Sequence, residues 1–148
     1  MGIVQNKIPL PHKPPMLLIS EILESREDYT ACHFQTEPDM WFFKGHFPGN
    51  PIMPGVMQIE FIAQSACLII RKSLDLKHEE GQVPEFYLTS VENAKFKHIV
   101  RPGELIRSEV FLKKQKKGFF WFEGSVFVGD KVCCHAQISS YLNRESVV

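Results

Sequence analysis

The run VMQIEFIAQSACLIIRKSL, following Gly55 and reaching to about Ser73, contains no further glycine or proline and is too long for an ordinary strand, so it reads as a helix. Arg71 and Lys72 suit its C-terminal end, where carbonyl dipoles favour cations. Val56, Met57, Ile59, Phe61, Ile62, Ala66, Cys67, Ile69 and Ile70 point in every direction around the axis, and such a helix must be wrapped by other structure. That requirement rules out a helix lying on a solvated surface.

The wrapping is supplied by strand-like segments on either side. Met16 to Ser25 and Tyr29 to Gln35 precede the helix and form a plausible hairpin. In the second, Ala31, His33 and Gln35 alternate with Cys32 and Phe34. After a polar loop from Leu76 to Gln82 come Glu85 to Val91, Ala94 to Val100, Leu105 to Lys114, Phe119 to Val128 and Lys131 to Tyr141. Turns at Arg101-Pro102-Gly103, Lys117-Gly118 and Gly129-Asp130 separate the later ones. Two strands, a buried helix and a run of antiparallel strands predict an α+β sheet curled around a helix, with no βαβ repeat.

A chain of 148 residues fits one domain, residues 1–148. Its 17 basic and 17 acidic side chains cancel, which leaves no overall field to draw it to nucleic acid or anionic lipid. The longest apolar stretch, Phe61 to Ile70, is interrupted by Gln64 and Ser65 and is far short of the roughly 20 residues a bilayer helix needs. The opening MGIVQNKIPLPHKPP lacks the pattern of a secretory signal, so a cytoplasmic protein is expected. Cys32, Cys67, Cys133 and Cys134 have no CxxC spacing and read as buried unpaired thiols. Cys133, Cys134 and His135 give only a partial ligand set on alternating strand faces, so neither metal nor organic cofactor is expected.

Glu60 is the anomaly in the apolar helix. A carboxylate there must be paired, neutral or useful, and burial favours the protonated form that would make it a proton donor. Gln64 stands one turn later on the same face and could orient it. Fourteen residues before Glu60, His46 lies in the segment GHFPGNPIMPG, whose prolines would keep a catalytic base in place. Pro54-Gly55 opens the helix, where free backbone N–H groups and the dipole favour developing negative charge. Taken singly, a helix Glu, a His beside Phe47 and a Pro-Gly helix entry each have ordinary structural explanations. Together, base, acid and oxyanion donor describe proton abstraction next to a carbonyl.

The segment GHFPGNPIMPGVMQIEFIAQ resembles the signature of the 3-hydroxyacyl-ACP dehydratases, the FabZ/FabA group of hot-dog proteins, and the likeness extends from LPHKPPMLLI through VENAKFKHIVRPGEL to the last strand. The resemblance implies that His46 is the catalytic histidine, Glu60 the acid, Gly55 the backbone donor and Gln64 the support for Glu60. Glu rather than Asp at position 60 implies plain dehydration of a (3R)-3-hydroxyacyl-ACP to trans-2-enoyl-ACP. It further implies a homodimer in which His and Glu come from opposite chains, often assembled into hexamers as trimers of dimers. Phe47, Pro54, Phe61 and Tyr87 are candidates to line the acyl site, with Tyr87 at an aromatic position that gates the tunnel in similar proteins. Lys95, Lys97 and Arg101 form a patch that could dock acidic acyl carrier protein. Lys13, Ser20 and Phe61 depart from the residues usual in the family, which are Arg, Asp and Ala. Two rival functions remain open at this point: a hot-dog acyl thioesterase using a carboxylate-activated water, and a noncatalytic module that binds acyl carrier.

Overall fold

A computed structural model describes residues 3–4, 8–76 and 84–143. The elements are β1 (Ile3–Val4), β2 (Glu21–Ser25), β3 (Tyr29–Gln35), α1 (Trp41–Gly45), α2 (Gly55–Ser73), β4 (Glu85–Phe96), β5 (Leu105–Lys116), β6 (Phe119–Val128) and β7 (Lys131–Asn143). The strands make one antiparallel sheet in the order β1-β2-β3-β5-β6-β7-β4. Helix α2 packs against β3, β5, β6 and β7, so the sheet curls around it as the apolar pattern requires.

The core lies between α2 and the concave face of the sheet. Phe61, Ile62, Ile69 and Ile70 of the helix meet Ile106, Val110, Phe120, Phe122 and Val126 of the strands, all at most 1% exposed. Close approach depends on Gly124 in β6. A Cβ there would stand 2.5 Å from Ile62 Cγ2 and 3.3 Å from Val110 Cγ2, so a larger residue would push the helix off the sheet. Two serines are buried in this interface. Ser65 Oγ donates to Phe61 O at 2.9 Å and shares a 2.7 Å hydrogen bond with Ser108 Oγ, which satisfies both hydroxyls. Beside them, burial pushes the Cys32 thiol up to about 12, and the two hydroxyls pull the other way.

Three sequence expectations need correction. The first strand does not begin at Met16: Pro14–Met16 form a turn, and Leu17, Leu18 and Ile19 are buried outside any strand. The Leu18 N–H that a strand partner would accept goes instead to Gln64 Oε1 at 2.8 Å. The predicted break between Glu85–Val91 and Ala94–Val100 is a bulge inside one strand, β4, where Asn93 takes φ 52° while the ladder to β7 resumes at Lys95. Residues 97–100 lie beyond that strand. Helix α1 was not foreseen. Of the predicted loop Leu76–Gln82, only Leu76 is among the described residues.

Candidate active site

His46 follows α1 directly and is partly buried. Its loop is closed by backbone hydrogen bonds: Ile52 N donates to His46 O at 2.7 Å, and Phe47 and Asn50 exchange bonds of 3.1 and 2.8 Å. The His46–Phe47 peptide bond is cis, and the two rings stack with centroids 4.0 Å apart. Nδ1 of His46 lies 3.1 Å from Ile52 O. A carbonyl can only accept, so Nδ1 carries a proton, and in the neutral ring Nε2 is the nitrogen with the lone pair.

His46 faces a cavity of about 420 Å³ lined also by Ile52, Met53, Gly55, Gln58, Phe96 and Lys97. The first turn of α2 forms one wall, and no side chain caps it. An uncapped helix start directs N–H groups and the positive end of the dipole outward, the arrangement that receives a developing oxyanion. Gly55 is covered by Phe96: a Cβ would lie 2.8 Å from that ring. Gln58 is 2% exposed, and its Oε1 is buried without a hydrogen-bond partner.

Glu60 does not line this cavity. It lies two residues beyond Gln58, hence roughly 200° around the helix. There it shares a partly accessible stripe with Ala63 and with Val56, which does line the cavity, so Glu60 stands one helical turn beyond the cavity rim. Its side chain is 26% exposed, less enclosed than an apolar helix suggested. The carboxylate is firmly placed. Gln64, fully buried, donates from Nε2 to Glu60 Oε1 at 2.9 Å and to Met16 O at 2.8 Å, while its own Oε1 accepts from Leu18 N. His12 of the proline-rich arm brings Nε2 to 3.9 Å from the same Oε1. Burial lowers the His12 pKa, with the Glu60 charge acting in the opposite direction. Burial holds the Cys67 thiol well above its ordinary range, and Glu60 reinforces that shift.

The other expected residues are scattered. Pro54 is the N-cap of α2, Phe47 is exposed over His46, and Tyr87 is exposed on β4 with its hydroxyl donating to Glu85. Phe61 is 0% exposed and faces Phe34 at a centroid distance of 6.1 Å, so it fills the core rather than the cavity. Lys95, Lys97 and Arg101 are exposed, with Lys97 at the cavity wall. Sequence reasoning gave His12 only a surface or packing role and did not single out Gln58: both depend on contacts that no local motif announces. Among the described residues no three His, Cys, Asp or Glu side chains gather to hold a metal, and no helix is long and apolar enough to cross a membrane.

Residues 10–137 match the family model of the FabA-like domain. The chain belongs to the FabA-like family. It is 39% identical over 132 residues to the 3-hydroxyacyl-[acyl-carrier-protein] dehydratase FabZ of Legionella pneumophila, a match covering 88% of this chain and 87% of that protein. Identity to FabZ of Coxiella burnetii is 38% over 142 residues, 93% of this chain and 96% of the relative. A chain of the ApeI:P dehydratase heterocomplex from Xenorhabdus doucetiae superposes with a TM-score of 0.80 at 18% identity, covering 98% of this chain and 95% of its own. Zebra fish thioesterase superfamily member 2 superposes at 0.65 with 16% identity, covering 90% and 88%. The sheet curled around α2 is therefore the hot-dog fold of FabA-like proteins and of thioesterases, and the sequence identity to FabZ separates the two groups.

Proposed function

We propose that this chain removes water from a (3R)-3-hydroxyacyl thioester carried on acyl carrier protein, giving the trans-2-enoyl thioester in fatty-acid-type biosynthesis. The observation that carries the reading is His46 with a free Nε2 beside the uncapped start of α2, in a chain 38 to 39% identical to FabZ dehydratases over most of its length. In this reading the thioester carbonyl accepts from the Gly55 N–H, which stabilises charge as His46 Nε2 takes a proton from C2. Glu60, held by Gln64, gives a proton to the departing C3 hydroxyl. No metal or organic cofactor takes part in these steps.

His46 lines the cavity and Glu60 of the same chain does not, which supports a site shared between two copies, His46 from one and Glu60 from the other. The exposed Val56 beside Glu60 and the exposed apolar residues Val91 and Phe96 on edge strand β4 offer surface for such a homodimer. Lys95, Lys97 and Arg101 are the proposed contacts for the acidic carrier, whose pantetheine arm enters past Lys97. Phe47 and Tyr87 are proposed to border the acyl chain from the partner side of that cleft, and Pro54 to set the entry of α2. The four cysteines, buried and unpaired, fit a cytoplasmic setting.

The test is an enoyl-forming assay on 3-hydroxyacyl-ACP substrates of several chain lengths, with free thiol followed in parallel. Wild type is expected to form enoyl product without releasing thiol. His46→Ala and Glu60→Gln should each lose about 10²- to 10⁴-fold in rate while remaining folded. Thiol release with no enoyl product would replace this reading with a thioesterase, and carrier binding without turnover would leave a noncatalytic module.

A further inference from the structure

His12 carries a cost that packing alone does not explain. Its Nδ1 is buried with no hydrogen-bond partner, an arrangement that an apolar side chain of similar size would avoid. Its other nitrogen points at Glu60, 3.9 Å from Oε1. That is the oxygen already held by Gln64 at 2.9 Å, and among the described residues nothing hydrogen-bonds Oε2. The two partners reach the carboxyl from different directions, Gln64 along α2 and His12 from the arm. Gln64 also ties that arm down through Leu18 N and Met16 O. The arm thus brings a titratable ring against the carboxyl, and one carboxyl oxygen is left for other work.

We propose that His12 is a positioning residue: with Gln64 it confines Oε1 of Glu60, so that Oε2 is the oxygen presented to substrate. This rests on the reading of Glu60 as the acid. A cationic His12 would favour the ionised carboxylate, which cannot donate. Burial works against that charge and favours the neutral ring, which orients the carboxyl without stripping it. Among the described residues the other titratable group set against Glu60 is Cys67, whose thiol burial keeps protonated, so it adds no charge.

The experiment compares pH profiles of kcat and KM for the full chain and for His12→Asn, His12→Phe and Glu60→Gln, on the 3-hydroxyacyl-ACP that wild type turns over best. Removing the imbalance of donor and ring should lower kcat of His12→Phe about tenfold with KM within about twofold, the scale of a disturbed acid–base group. His12→Asn keeps a donor and should fall between. It also carries the comparison if His12→Phe does not fold. Unchanged kcat in a folded His12 variant would overturn the proposal, as would equal losses in His12→Asn and His12→Phe, or a loss carried by KM rather than kcat. An active Glu60→Gln enzyme would instead sink the reading of Glu60 itself.

Discussion

Gln64 shows how one buried side chain can serve both fold and site. Its amide makes three hydrogen bonds and is 0% exposed. Gln64→Leu would strand the buried Leu18 N–H and take the donor from Met16 O, and urea unfolding should register a loss of about 1–3 kcal/mol. His12 gives the molecule an acid sensitivity of its own. Burial lowers its pKa below the ordinary 6.5. Between the lowered value and 6.5 the unfolded chain binds a proton that the folded chain refuses, so this group costs stability as pH falls through that window. Thermal midpoints measured from pH 7.5 to 5.5 should therefore drop more steeply for wild type than for His12→Asn.

At the scale of elements, the fold turns on how closely α2 lies on the sheet. Gly124→Ala would drive a methyl group into Ile62, and thermal unfolding should show a destabilisation of about 1–3 kcal/mol, partly relieved by Ile62→Ala, which removes the obstructing Cγ2. The bounds of α2 and β3 were legible because their signals are local: Pro54 starts the helix, and a two-residue alternation marks the strand. The missed elements obey longer-range rules. Leu17 to Ile19 look like a strand but spend a backbone N–H on Gln64, and Glu92-Asn93 looks like a turn but sits in a bulge because β7 continues past it. The site divides the same way. His46, Gly55, Glu60 and Gln64 lie within one readable segment, whereas the approach of His12 to Glu60 joins residues far apart in the chain. Phe61 stands next to Glu60 in sequence but turns about 100° from it on the helix and into the core.

For the whole molecule, one chain holds His46 in the cavity at the start of α2 and Glu60 outside it. The proposed site shared between two copies makes a quantitative forecast. A heterodimer pairing His46→Ala with Glu60→Gln contains one intact site, built from the His46 of one chain and the Glu60 of the other, and one site with both groups lost. Two differently tagged variants, co-expressed and purified through both tags, give that species directly. Each variant alone should be nearly inert in dehydrating 3-hydroxyacyl-ACP, and the heterodimer should recover about half the wild-type kcat. A heterodimer as dead as its parents, or either parent fully active by itself, would contradict the shared site and the acid–base roles assigned to its two residues.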